Sequence, residues 1–173
     1  MMSESMRNKS DNSQQLEEIA DTSRKLVSNI SEIIWSLNPE NNSLDEFLGY
    51  LREQLHKLLQ YSGIEYEIDF PENGKHVSLN NSQKRNLLLI TKEIVHNAIK
   101  HSKATQVFIS CNQDKNSLQF VIKDNGRSFD PTIKFKGNGL SNIRRRVTEL
   151  AGNLTIDSSN GSGTTFTYGI SLN

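Results

Sequence analysis

The sequence predicts an α+β protein, a two-layer sandwich of a mixed, mostly antiparallel sheet with helices on one face, preceded by a long amphipathic helix. Three observations predict it. Beyond residue 43 the hydrophobic period switches in the order helix, strand, helix, strand, strand, helix, strand, strand. Two strand pairs are separated only by short polar turns, 112–116 and 159–161, which signals hairpins rather than crossovers. Ahead of this block lies a stretch whose apolar residues recur in steps of three and four.

Residues 1–13 are polar, carry no apolar core and do not read as a signal peptide; a disordered tail is expected there. Residues 14–38 read as one helix. Leu16, Ile19, Ser23, Leu26, Ile30, Ile33 and Leu37 form a heptad seam, and Val27, Ile34 and Trp35 widen it. Pro39 stops the helix, because it has no amide donor and disfavours helical geometry at Asn38. A seam this wide is not satisfied by an isolated helix and needs partner helices. Residues 39–43 are the linker.

A second helix starts after Ser43, which with Glu46 makes a capping box. Its apolar face is Leu44, Phe47, Leu48, Leu51, Leu55, Leu58 and Leu59, and Gly63 is placed to end it. Residues 64–70 alternate apolar and polar as a half-buried strand, and 71–74 carry turn chemistry. A third helix over 82–101 shows a broad apolar face from Leu87 to Ile99. Strands follow at 106–111 and 118–123. A helix at 139–151 has Gly152 as its stop, and strands at 154–157 and 164–172 close the sheet.

Bulk properties narrow the function classes. The chain has 173 residues, and 20 basic residues balance 20 acidic ones, so no field favours nucleic acid. One cysteine excludes an intrachain disulfide framework and a cysteine-rich zinc site, and it fits a reducing, cytoplasmic setting. No apolar run approaches the roughly 20 residues that span a bilayer, so any membrane attachment would come from a segment outside this chain, which would then be the cytoplasmic end of a receptor.

Four polar motifs carry the chemistry. Glu93 and Asn97 lie four apart on the third helix, hence on one face. Asn97 offers a hard amide oxygen suited to Mg²⁺, which takes few protein ligands when phosphates supply the rest. Glu93 can orient or deprotonate a nucleophile. His96, Lys100 and His101 flank them within reach of phosphate oxygens. Asp124 ends a strand and precedes Asn125-Gly126. Its carboxylate can accept from an exocyclic amine, which adenine has and guanine lacks at that position, and Gly126 lets the backbone approach a planar base. Gly137-Asn138-Gly139-Leu140 gives a flexible hinge and free amides at a helix start, followed by Arg144, Arg145 and Arg146. It is not a P-loop, since the chain has no GxxxxGK(S/T). Gly161-Ser162-Gly163-Thr164 is a tight turn into a strand that begins with a hydroxyl able to bond a base or a water beneath it. Singly, each motif reads more readily as a solvated stripe, a common turn or a hairpin.

Together and in this order the four segments resemble the N, G1, G2 and G3 boxes of the GHKL ATPase superfamily, whose fold is the Bergerat fold. The resemblance runs from about Asn80 to Leu172. Its details are similar to the sensor histidine kinases with a short ATP lid, on EIVHNAIKHSKATQV (93–107) and GNGLSNIRRRVTELAGNLTI (137–156). The segment 32–55 resembles the junction between dimerisation helices and ATP domain in one set of these kinases.

The resemblance implies ATP and Mg²⁺ as cofactors. It implies Asn97 as metal ligand, Glu93 as the acidic residue beside the phosphoacceptor histidine, and Asp124 as the adenine reader. Gly126, Gly137, Gly139, Leu140, Gly163 and Thr164 line the nucleotide, with Lys100 and His101 beside it. Residues 14–38 become the second helix of the dimerisation and phosphoacceptor hairpin, and 44–173 the ATP-binding catalytic domain. A homodimer through 14–38 and a response regulator receiver domain as phosphate acceptor are the implied partners. Ser128 departs from the family's DxGxG, where a second glycine is usual; serine fits if φ is negative. The family's acceptor histidine is also missing. Among His56, His76, His96 and His101, His56 has no acidic neighbour following it, His76 is in a polar loop and the others belong to the first motif. The chain then phosphorylates a histidine outside itself. The rival readings are a serine kinase like the anti-sigma factors of this fold, against which the leading heptad helix argues, and a non-catalytic ATP-binding or dimerisation module.

Overall fold

A computed structural model describes residues 2–71, 77–129, 138–158 and 162–172, with backbone only for residues 2–14, Asp21 and Lys25. The chain divides into two units, Met1–Asn38 and Pro39–Asn173.

The first unit is one helix, α1 (Met2–Leu37). It begins well before residue 14, so the expected disordered tail is helical backbone instead. No glycine or proline occurs before Pro39, and Glu, Met, Arg and Lys in the tail are good helix formers, so nothing halts propagation back toward the N-terminus. Leu16, Ile19, Leu26, Val27, Ile30, Ile33, Ile34 and Leu37 are all exposed on it.

The second unit opens with a short 3₁₀ turn (Pro39–Asn41) and then runs α2 (Leu44–Leu59), β1 (Glu65–Asp69) and α3 (Asn81–Asn97). A π-helical turn (Ala98–Ser102) follows, then β2 (Gln106–Gln113), β3 (Ser117–Asp124), α4 (Gly139–Glu149), β4 (Asn153–Asp157) and β5 (Thr164–Ser171). The capping box of α2 is present in full: Ser43 Oγ accepts from the Glu46 amide and the Glu46 carboxylate accepts from the Ser43 amide. A second box, Asn80 with Gln83, starts α3. α2 ends at Leu59, and Gly63 takes the left-handed conformation beyond it (φ 74°).

The sheet order is β1-β2-β3-β5-β4, with β1 parallel to β2 and every other pair antiparallel. Registers such as Cys111↔Phe120↔Tyr168 and Ile109↔Ile122↔Phe166 align one apolar face across three strands. That face is buried together with Phe47, Leu51 and Leu55 of α2, Leu87, Ile90 and Ile94 of α3, and Ile143 and Val147 of α4. Phe120 stacks on Tyr168 (centroids 5.2 Å apart) and meets Phe70 edge-on (6.3 Å). Burying each such ring contributes roughly 1.5–3 kcal/mol. The Tyr168 hydroxyl is satisfied inside the core by Thr91 Oγ1 at 2.5 Å, and Thr91 Oγ1 is within 2.7 Å of the Leu87 carbonyl. The turns expected at 71–74 and 159–161 fall largely outside the described residues. Among the described residues, no helix is long and apolar enough to cross a membrane.

Candidate functional site

Antiparallel pairing of β3 with β5 puts the end of one beside the start of the other, with Asp124 opposite Thr164. Against this edge come the end of α3 and its π-helical turn, so the first, second and fourth motifs share one end of the sheet.

Asp124 is 6% exposed. Its Oδ1 accepts from the Gly126 amide at 2.8 Å, and the Thr164 amide and Ser102 hydroxyl also hydrogen-bond to the carboxylate. Burial pushes its pKa up, and these three hydrogen bonds pull it partly back. Gly163 adopts φ 77° and packs on the Asp124 backbone, so closely that a Cβ there would overlap the Asp124 carbonyl oxygen. Gly126 packs on Ser102 in the same way, and the Arg127 amide donates to the Ser102 carbonyl at 2.6 Å. These two glycines are therefore demanded by close backbone approach.

Asn125 pins the loop: its Oδ1 accepts from the amides of Thr105 and Gln106, both at 2.9 Å, and its Nδ2 donates to Thr105 Oγ1. Ser128 occupies the position where a glycine was expected. Its φ is not positive, and its hydroxyl donates to the Gly163 carbonyl at 3.2 Å, tying the second motif to the fourth. Serine is thus compatible with this backbone. Ser158 Oγ accepts from the Phe129 amide at 2.8 Å and lies 3.1 Å from Thr164 Oγ1.

Glu93 and Asn97 sit half-buried, one turn apart on α3. Both face the first residue of α4. A Cβ on Gly139 would overlap Glu93 Oε1 and stand 3.6 Å from Asn97 Nδ2. Asn138, at the N-cap of α4, makes no side-chain capping bond, which leaves first-turn amides for an anion. Leu140 is half-buried beside them; Gly137 and Gly161 lie outside the described residues.

Lys100 and His101 are exposed on the π-helical turn, not on a continued α-helix as expected. A π turn widens the backbone and changes where these side chains project, a distortion frequent at functional sites. His96 has its pKa lowered, first by burial and then by neighbouring Lys100. Two of the three arginines of α4 are engaged elsewhere. Arg146 donates to Asn86 Oδ1 at 2.9 Å, and Arg145 pairs with Glu149.

The Asn97 carboxamide at a helix N-terminus would suit Mg²⁺, which needs only one or two protein ligands when phosphates supply the rest. Among the described residues no cluster of three or more His, Cys, Asp and Glu could hold a metal by itself. Motif reading gives no role to Ser102, Asn125 or Ser158. Asn125 lies inside the second motif, but its anchoring of residues 105 and 106 is long-range, and no spacing marks Ser102 or Ser158.

Residues 82–173 match the family model described as histidine kinase-, DNA gyrase B-, and HSP90-like ATPase. The chain is 31% identical over 163 residues to the signal transduction histidine-protein kinase/phosphatase DegS of Brevibacillus brevis, covering 91% of this chain and 41% of that protein. It is 31% identical over 155 residues to the sensor histidine kinase ComP of Bacillus subtilis, covering 85% of this chain and 20% of that one. It thus spans well under half the length of these relatives. The fold is shared with Acinetobacter baumannii histidine kinase AdeS (TM-score 0.64, 21% identity, 92% of this chain and 83% of that one). It is also shared with the histidine kinase domain of Erythrobacter litoralis EL346 (TM-score 0.63, 17% identity, 82% and 69%).

Proposed function

Because the chain belongs to the histidine kinase-, DNA gyrase B-, and HSP90-like ATPase family, we propose that its second unit is the ATP-binding catalytic part of a two-component sensor histidine kinase, acting in the cytoplasm. The observation that carries this reading is the packing of Gly139 on Glu93 and Asn97. It joins two motifs that are unremarkable apart, and it puts a carboxylate and a carboxamide at a helix N-terminus.

In this reading the adenine amine donates to Asp124, and the glycine backbones at 126 and 163 admit the base. Amides at the start of α4 receive phosphate oxygens, with Lys100 and His101 at the rim. Mg²⁺, when bound, neutralises phosphate charge, and Asn97 is its protein ligand. Glu93 takes the proton of an attacking imidazole. The nitrogen–phosphorus bond forms at the γ-phosphorus as its bond to the bridging oxygen breaks, releasing ADP. Positioning and charge stabilisation are the protein's contribution.

The accepting imidazole lies outside this chain. His56 Nδ1 is within 2.5 Å of the Tyr66 hydroxyl, His96 and His101 belong to the site itself, and His76 lies outside the described residues. The phosphoryl group then passes to a response regulator receiver domain. A second copy of the chain covers the exposed heptad seam of α1, because identical seams interdigitate knobs into holes.

Calorimetric titration with a non-hydrolysable ATP analogue, with and without Mg²⁺ and with GTP as control, tests the reading. Adenine-selective, Mg²⁺-dependent binding is expected, with the metal dependence lost in Asn97→Ala. Absence of binding, or equal affinity for GTP, overturns it. Light scattering tests the dimer, and a monomer at high micromolar concentration would exclude it.

A further inference from the structure

Ser102 closes the π-helical turn and is 7% exposed. Its carbonyl accepts from the Arg127 amide at 2.6 Å. Its Oγ accepts from the Ala104 amide at 3.0 Å and lies 2.7 Å from the Ala98 carbonyl. The same hydroxyl hydrogen-bonds to the Asp124 carboxylate. On its other side is Gly126, where an added Cβ would stand only 2.6 Å from Ser102 Oγ and 2.7 Å from its Cβ.

A hydroxyl has one hydrogen to donate. Here two acceptors compete for it, the Ala98 carbonyl within the turn and the Asp124 carboxylate across the site. An ionised carboxylate is the stronger acceptor, so the hydrogen turns to Asp124 when Asp124 is charged. The π-helical turn thereby meets the end of β3 through the hydroxyl bond, and the loop after it through the main-chain bond to Arg127 and the packing of Gly126.

We propose that Ser102 is a positioning residue of the nucleotide site, orienting the Asp124 carboxylate toward the adenine amine and fastening the helix that bears Glu93 and Asn97 to the adenine-reading loop. This deepens the nucleotide-binding reading and rests on it. The groups facing Asp124 are Ser102 from the π-helical turn, Gly126 from the loop and Thr164 from β5. Among the described residues no charged side chain bears on it; Lys100 and His101, on the same turn as Ser102, are exposed. The hydroxyl is therefore the one side-chain group that stabilises the charged form.

The test is ADP and GDP binding by calorimetry between pH 5 and 8 for the unsubstituted chain, Ser102→Ala and Ser102→Cys. Cysteine keeps the shape with a weak donor, so it serves if alanine leaves a void that unfolds the turn. Both substitutions are expected to weaken ADP binding about tenfold at neutral pH, to narrow the ADP-to-GDP ratio, and to move upward the pH at which ADP binding fails. An unchanged ratio and an unchanged pH midpoint, even with lower melting temperature, overturn the proposal and leave Ser102 merely structural. Failure of the unsubstituted chain to discriminate ADP from GDP overturns it along with the nucleotide reading, and is seen before any variant is made.

Discussion

The Cα of Gly139 rests against the carboxylate of Glu93, with no space for a methyl group between them. The obstructing atom is the far end of a flexible side chain, not backbone. Gly139→Ala is therefore expected to fold normally, since alanine favours helix by up to about 1 kcal/mol. The carboxylate is pushed off its position, so phosphoryl transfer falls tenfold or more while melting temperature holds or rises. Shortening the acid relieves the crowding, so Glu93→Asp combined with Gly139→Ala loses less than the two losses summed. Strict additivity in steady-state rates would show that Gly139 acts through lid flexibility instead.

Gly163 presents the opposite case. It has φ 77°, and an added Cβ would overlap the Asp124 carbonyl oxygen and stand 2.8 Å from its carbon. Both obstacles are backbone within a five-stranded sheet. Left-handed geometry and overpacking each cost roughly 1–3 kcal/mol. Gly163→Ala is expected to lower stability by about 3 kcal/mol in urea unfolding, whether or not nucleotide is present in the native state. A loss under about 1 kcal/mol would mean that this turn relaxes.

Asp124 links pH to both stability and binding, with opposite signs. Burial raises its pKa above the ordinary 3.8. Between the ordinary and the raised value the native state holds more protons than the unfolded chain, so stability falls as pH rises through that window. The penalty is absent below the ordinary value and full above the raised one. Binding runs the other way, because the protonated acid no longer serves the adenine amine as a carboxylate acceptor. ADP affinity is expected to fall as pH drops through the raised pKa, in a range where thermal stability from this group improves. Asp124→Asn removes this acid limb and weakens ADP about 10- to 100-fold at neutral pH. Identical pH profiles for the two proteins would remove Asp124 from the adenine site.

Much of this was legible because several devices are local. The Ser43–Glu46 capping box, the alternation of β1 and the Asp124-Asn125-Gly126 turn each lie within a few residues, and their chemistry has few alternatives. Glu93 and Asn97 were legible as a pair because helical spacing forces them onto one face. What required the fold was long-range. Nothing local says that Gly139 meets Glu93, that Ser102 meets Gly126, or that Ser128 reaches Gly163. The π-helical turn escaped notice because 82–101 keeps an apolar periodicity through Ile99, and one wider turn hardly disturbs it. Helical backbone before residue 14 is not legible in the polar composition of that segment, which equally fits a disordered tail.

The end of α4 falls at Glu149, two residues short of the expected 151, and it closes on a residue other than the expected glycine. Gly152 reads as the helix stop, yet the left-handed residue is Ala151, with φ 49°. The Gly152 amide donates to the Val147 carbonyl at 3.0 Å, and the Ala151 amide to Thr148 at 2.9 Å, which is a Schellman closure with alanine at the position glycine prefers. Gly152 has a different reason to be small: a Cβ there would overlap the Gly169 carbonyl oxygen of β5 and stand 3.4 Å from Val147 Cγ1. Two substitutions one residue apart should therefore act in opposite directions. Ala151→Gly removes left-handed strain and is expected to raise stability by about 1 kcal/mol, after the greater backbone entropy of glycine in the unfolded chain. Gly152→Ala forces helix and strand apart and is expected to cost about 2 kcal/mol. Urea midpoints with unchanged slopes measure both. Should Ala151→Gly destabilise while Gly152→Ala is neutral, the turn would close on glycine after all, as the sequence pattern alone suggests.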